Sequence, residues 1–265
     1  MAEATWLVDM AKVRTLILRA PGTNCDFETA FAFEQAGALV DSAHVNELVR
    51  REKLIADYQI LVLPGGFTYG DDVSAGKILA NELKLKLGED IQRFVERGGL
   101  ILGICNGFQV LVKAGILPLV EDGGRQQLTL AGNDSSRFEC RWVYLQVNQK
   151  SPCVFTRGIT ALYLPVAHGE GKVMAEPETL GRLNVVVRYA DDKGSIKAGY
   201  PFNPNGSADN IAGICDASGR IFALMLHPER FIRWSQHPRW SREAPRQHGD
   251  GLAIFSNAVE WVRSG

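Results

Sequence analysis

At 265 residues, with 46% hydrophobic and 22% charged side chains, the chain is long enough to bury a sizeable core and short enough to form one large domain. A formal charge of −1, with no basic block interleaved with aromatics, excludes the electrostatic footprint of a nucleic-acid binder. Five cysteines without a CxxC pair fit neither a disulfide framework nor a zinc knuckle and read as reduced cytosolic thiols; no stretch is apolar enough for a signal peptide or a membrane span.

From residue 13 to about 114, short apolar runs alternate with amphipathic segments, the pattern of β-α-β units on a parallel sheet. "VRTLILR" is the first strand. After the turn "PGTNCD", helical spacing through Phe27, Ala30 and Phe31 runs to a C-terminal cap at Gly37. The strand "ALVDSAH", a helical stretch around "ELVRREKLIADY" and the strand "QILVLPGGF" follow, the last stopped by Pro64, Gly65 and Gly66. Helical patterns over 74–87 and 90–97 lead to the buried-strand run "LILGI" and to Cys105. Beyond Pro118, "QQLTLAGND", "RFECRWVYLQV" and "ALYLPVAHGEGKV" alternate as antiparallel or mixed strands, and "NIAGICDASGRIFALMLHPE" reads as two strands about "DASGR". "YPFNPNGSADN" is a turn-rich loop, and "GLAIFSNAVEWV" closes the chain as a helix. The expectation is one α/β domain over 1–265, with its core at about 13–263 and a decorated second half.

"GICNG" sets Cys105 between an apolar strand and a helix start. Such a turn lifts a side chain to the carboxyl edge of the sheet, beside helix amides whose partial positive charge favours a thiolate. Gly103 and Gly107 permit the tight turn, as in a nucleophile elbow with cysteine for serine. Because cysteine is among the most buried residue types, the five residues alone are also compatible with a core thiol. A nucleophile needs a base, and the base an orienting group. His227 directly follows the run "IFALML", and Pro228 disfavours helix before it, so 227–229 should be extended with Glu229 on the same side as His227. A solvated His-Pro turn is the plainer alternative.

Taken together, "PGTNCD", "LVLPGGFTYGDD", "LGICNGFQVLVKAGILP", "RFECRWV", "PVAHGEGK", "NPNGSADNIAGIC" and "HPER" resemble the class I (triad) glutamine amidotransferases, and among them the glutaminase subunits of phosphoribosylformylglycinamidine synthases, over about 13–262. Leu226 stands where that family usually has proline, and the tail from 233 is longer than in compact members. The resemblance implies a flavodoxin-like three-layer open sheet, mostly parallel with added antiparallel strands. It also implies a triad of Cys105, His227 and Glu229, with an oxyanion hole from the amides of Gly66 and Asn106. Gln109, one helical turn after Cys105, is expected at the substrate's polar end. His168 of "AHGEG" is expected to line the site, a partner interface or a turn, and Cys25 of "TNCD" to be structural.

The implied reaction hydrolyses glutamine through a cysteinyl thioester and passes ammonia to a large synthetase subunit, with a small bridging subunit. That synthetase converts formylglycinamide ribonucleotide to its amidine, using ATP and Mg, in purine biosynthesis. No cofactor, metal, nucleic acid or membrane is implied for this chain, and no Walker-type motif occurs in it. Thiol enzymes of the peptidase or DJ-1 type usually place histidine straight after the elbow cysteine, whereas Asn106 stands here. A regulatory subunit that keeps the fold without the chemistry is the other alternative.

Overall fold

The computed structural model describes residues 12–118 and 126–265. Residues 1–11, on which the expectation of no signal peptide falls, and 119–125 lie outside the described residues. Through the first half, apolar runs bounded by Gly and Pro alternate with helices as expected: β1 (Arg14–Arg19), α1 (Asp26–Gln35), β2 (Leu39–His44), α2 (Val45–Val49), β3 (Ile60–Leu63), α3 (Lys77–Lys86), α4 (Gly88–Glu96), β4 (Leu100–Ile104) and α5 (Asn106–Ala114). The second half adds β5 (Leu128–Gly132), β6 (Glu139–Val147), β7 (Ala161–His168), β8 (Glu170–Ala175), α6 (Pro177–Arg182), β9 (Asn184–Ala190), β10 (Ile211–Cys215), β11 (Ile221–Leu224) and α7 (Leu252–Ser264).

Nine strands form one sheet in the order β2-β1-β3-β4-β11-β10-β9-β6-β7. From β2 to β11 every neighbour is parallel, which is the flavodoxin-like order expected from the resemblance. From β11 to β7 every neighbour is antiparallel, and β5 pairs β8 apart from the main sheet. β3 and β4 are buried along their whole length, as strands covered on both faces must be. Right-handed crossovers put α1 on one face, because β1 to β2 steps one way across the sheet. The connections from β2 through β4 step the other way and put α3 and α4 on the opposite face. α7 packs on α1 through an edge-to-face contact of Phe33 and Phe255 at 4.9 Å, and α3 packs on α5.

Two expectations need correction, and one stretch carries none. The helix expected across 47–58 starts earlier and is short: a capping box, with His44 N–H on Glu47 Oε2 at 2.6 Å and Asn46 N–H on His44 Nδ1 at 3.2 Å, begins α2 at Val45. The chain then turns at Arg51 (φ 62°), which lets Ile55 and Tyr58 reach the core. "ALYLPVAHGEGKV" is two strands, broken at Gly169, and the second leaves the main sheet to pair β5. Sequence patterning assigns no element to 176–190, where Pro177 opens α6 and Val185–Val187 are buried in β9 between β10 and β6.

The packing that positions the candidate site lies where α5 crosses the ends of β3 and β4. A Cβ on Gly103 would stand 2.6 Å from Leu111 Cδ1, and one on Gly107 would fall on the Leu63 carbonyl. Both glycines are therefore demanded by the close approach of helix to strand ends. Gly107→Ala should lower stability by about 2 kcal/mol or more, since backbone rather than a flexible side chain must give way. Urea unfolding checks this; a wild-type midpoint would contradict the tight crossing.

Candidate active site

β4 ends at Ile104, and the next residue turns the chain. Cys105 has φ 50° and ψ −102°, a conformation that residues with a Cβ rarely adopt. Its N–H donates to Leu224 O of β11 at 2.8 Å, and its carbonyl accepts from Phe108 N–H at 3.0 Å and Gln109 N–H at 3.2 Å. The side chain is thereby set at the carboxyl edge of the parallel strands, ahead of the first amides of α5. The thiol is buried, with Sγ 3.7 Å from Ala167 O of β7.

His227 and Glu229 meet, though not as an extended segment. β11 stops at Leu224; Leu226 bridges Val166 of β7, and His227 N–H donates to Pro165 O at 2.9 Å. Pro228 then begins a single helical turn to Arg230, closed by Arg230 N–H on His227 O at 3.2 Å. Proline suits the first position of such a turn, which is why the chain beyond β11 turns there rather than running on extended. The turn folds Glu229 back under the imidazole, with His227 Nδ1 and Glu229 Oε1 2.6 Å apart and both side chains almost wholly buried. Nδ1 is committed to the carboxylate; Nε2 has no hydrogen-bond partner among the described residues and is the nitrogen left for Cys105. Burial opposes charge on the ring, yet Glu229 first and then the two neighbouring thiols, Cys105 and Cys25, outweigh it and raise the His227 pKa well above its ordinary value.

Gly66 and Asn106 lie at one sheet edge: Leu63 and Gly103 are register partners in β3 and β4, and each of the two residues comes three positions later. Gly66 has φ 148° and bridges Thr23; a Cβ there would stand 2.8 Å from both Asn24 N and Gly22 O. The Asn106 side chain is held on both sides. Its Oδ1 accepts from Thr68 Oγ1 at 2.7 Å, and its Nδ2 donates to Gln109 Oε1 at 2.9 Å. Gln109 Nε2 in turn donates to Glu170 O at 2.6 Å, so the Gln109 amide is engaged at both ends.

Two residues take places their sequence context does not announce. Cys25, expected to be structural, has Sγ 3.9 Å from His227 Nδ1 and 3.1 Å from Arg230 Nη2. Its only sequence signal is its position before the first helix. His168 is buried in β7. Asn133 Nδ2 donates to His168 O at 2.8 Å and Arg137 O at 2.9 Å, so Asn133 Oδ1 is what faces His168 Nδ1 at 3.1 Å. Nδ1 therefore carries the proton, and Nε2 is a buried lone pair with no partner among the described residues.

Fold and site are those of the α/β proteins that present a thiol at a strand-to-helix elbow, the class in which the triad amidotransferases fall. Comparison with known proteins narrows this: residues 12–262 match the CobB/CobQ-like glutamine amidotransferase domain family. The Dehalococcoides mccartyi protein called phosphoribosylformylglycinamidine synthase subunit PurQ is 61% identical over 255 residues, covering 96% of this chain and 99% of the relative. A Methanococcus maripaludis protein of the same name is 43% identical over 264 residues, covering 94% and 97%. A chain in the structure of PurLQS from Thermotoga maritima is 32% identical with a TM-score of 0.72, covering 95% of this chain and 99% of that one. The chain belongs to the PurQ family of glutamine amidotransferases.

His168 gives a measurable consequence. Burial, and after it the charge of His227, lowers its pKa from 6.5 to about 4. As pH falls below 6.5 the unfolded chain takes up a proton that the folded chain refuses, so stability drops until pH 4 is reached, by about 3 kcal/mol in all at ~1.4 kcal/mol per pH unit. His168→Gln should flatten that part of the decline in denaturation followed from pH 7 to 4. Parallel curves for the two proteins would show that the imidazole is not the group refusing the proton.

Proposed function

We propose that the chain is the glutaminase subunit of a phosphoribosylformylglycinamidine synthase, hydrolysing glutamine at Cys105 and delivering ammonia to a synthetase partner. The observation that carries this reading is the strained elbow at Cys105 beside an imidazole whose Nδ1 is held by Glu229 at 2.6 Å. In this mechanism the Cys105 thiolate forms a bond to the side-chain carbon of glutamine, and the carbonyl electrons move to oxygen. The amides of Gly66 and Asn106 receive that oxyanion. Charged His227 gives its Nε2 proton to the departing nitrogen, the carbon–nitrogen bond breaks, and ammonia leaves a glutamyl thioester. Neutral His227 then takes a proton from water, which attacks the thioester; glutamate departs and the thiolate–imidazolium pair is restored.

Glu229 fixes the tautomer that keeps Nε2 toward the thiol and favours the charged ring. Gln109, expected at the substrate, also holds Asn106 in place: its Oε1 accepts from Asn106 Nδ2 and its Nε2 donates to Glu170 O, which leaves one N–H and one lone pair of the amide for glutamine.

Ammonia is nucleophilic only while unprotonated, so it must pass directly to the partner. PurL and PurS, named in the Thermotoga assembly, supply the large synthetase and small bridging subunits of this reading. ATP and Mg act on the synthetase, and this chain works as a single amidotransferase domain without its own cofactor. All five cysteines are unpaired, and no helix among the described residues is long and apolar enough to cross a membrane. Both observations support work in the cytoplasm.

In the reconstituted complex, Cys105→Ala should reduce glutamine-dependent amidine formation by at least about a thousandfold, as loss of an active-site nucleophile does, while synthesis from added ammonia continues. Glutamate release and amidine formation are the two assays. Continued use of glutamine by the Cys105→Ala complex would remove the nucleophile from the scheme.

A further inference from the structure

The stretch "PGTNCD" joins β1 to α1 and is stitched to the loop after β3. Thr23 bridges Gly66, and Cys25 N–H donates to Gly65 O at 3.2 Å. The stitch sets Cys25 at the cap position of α1, 1% exposed, against the imidazole of His227. Gly65 is what makes room: a Cβ there would stand 3.2 Å from Cys25 Sγ and 2.7 Å from His227 Cε1.

Around the sulfur the donors and acceptors sort in one way. Asn24 Oδ1, at 3.2 Å, accepts the S–H proton. Arg230 Nη2, at 3.1 Å, donates to the sulfur, and His227 Nδ1 lies 3.9 Å from it. Nδ1–H gives its short hydrogen bond to Glu229 and finds in the sulfur a second, weak acceptor on the same edge of the ring. Arg230 closes the cluster, with its Nε 4.0 Å from Glu229 Oε1 and 4.0 Å from Glu28 Oε1.

Cys25, His227 and Glu229 also bring ligand-type atoms within 4.8 Å of one another. A tetrahedral zinc ion at roughly 2.0–2.3 Å from each donor would hold them more than about 3 Å apart. Nδ1 and Oε1, at 2.6 Å, are too close for that and share a proton instead. A guanidinium already supplies positive charge at the sulfur.

We propose that Cys25 is a positioning residue for the glutaminase reaction, steadying the Nδ1 edge of His227 together with Glu229 so that the Nε2 edge stays turned to Cys105. The inference rests on the glutaminase reading and adds to it a second thiol that never touches substrate. Charged and titratable groups around the imidazole are Glu229 and Arg230 on its own turn, Cys105 at the elbow, Cys25 on α1 with Glu28 behind Arg230, and His168 on β7. Burial opposes the ring's charge, and Cys25 acts with Glu229 and Cys105 to favour it. Removing Cys25 therefore weakens the proton donor at high pH and loosens its aim.

The test uses the full chain assembled with its synthetase and small subunit, measuring glutamate release against pH and synthesis from added ammonia. Cys25→Ala is expected to lower kcat about tenfold, a part of the roughly 10²–10⁴-fold a positioned general acid supplies, with KM for glutamine within about twofold. The alkaline limb of kcat/KM should move to lower pH, and ammonia-dependent synthesis should stay at the wild-type rate. Cys25→Val, which fills the space without hydrogen bonding, should behave alike and reads the same limb if the alanine variant fails to assemble. Cys25→Ser, which keeps a hydroxyl for Asn24 and Arg230, should recover most of the kcat. Wild-type kcat and alkaline limb in the alanine and valine variants would overturn the inference. So would a kcat loss with an unmoved limb and no recovery by serine, the mark of a merely structural thiol. Wild-type complex without Cys105-dependent glutamate release would instead overturn the glutaminase reading itself.

Discussion

The backbone of Cys105 is the constraint on which the rest of the arrangement depends. Its φ of 50° costs ~1–3 kcal/mol relative to ordinary backbone and persists only because its neighbours over-determine it. Hydrogen bonds hold both faces of the residue, from Leu224 O on the strand side and from the amides of Phe108 and Gln109 on the helix side. Gly103 and Gly107 let α5 descend onto β3 and β4 so closely that a Cβ at either position would strike Leu111 or the Leu63 carbonyl. A chain that ended β4 more gently would carry the thiol along the helix and away from the sheet edge where His227 lies.

A thiol so placed works only beside a proton donor that keeps its charge, and burial works against that charge. His227 and Glu229 have side-chain exposures of 2% and 0%, where an isolated ion is costly and a lost partner leaves an uncompensated charge. The carboxylate is not fully satisfied: Glu229 Oε2 has no hydrogen-bond partner among the described residues. The cluster is balanced instead by Arg230, half-buried on the same turn, which reaches the sulfur of Cys25 and approaches Glu229. The turn around Pro228 thus carries three groups within 227–230: an imidazole, its carboxylate and a counter-cation.

Much of this was legible in the residues. The alternation of apolar runs and amphipathic segments shows the parallel half, because strands covered on both faces must be continuously apolar, as β3 and β4 are. "GICNG" shows the elbow because tight turns need small residues, and Pro228 marks the turn that begins just after His227, past the end of β11. What stayed illegible depends on distant parts of the chain. The local conformation at 227–229 is a turn rather than an extended segment, set by Pro165 O and Val166 across the sheet. Cys25 looks like a cap residue until the stitch between the loops after β1 and β3 brings it to the imidazole. Gln109 sits on the expected helix face, but its amide is claimed by Glu170 O, a partner 61 residues away that no helical spacing announces.

The antiparallel half is therefore part of the site's construction. β7 offers two carbonyls on one side, as residues two apart in a strand do: Pro165 O fixes the backbone of His227, and Ala167 O stands 3.7 Å from the Cys105 sulfur. One strand thus gauges the separation of the thiol and imidazole, although the two arrive on different strands of the parallel half. Its register is pinned by pairing with β6 from Glu139↔His168 to Gln146↔Ala161. A slip of one residue would present Leu164 and Val166, or Val166 and His168, in place of Pro165 and Ala167, turning the anchoring carbonyls away and exposing the buried face of β7. Coupling between thiol and base is in this way tied to long-range strand pairing, which is why the elbow motif alone, however well formed, does not make the site.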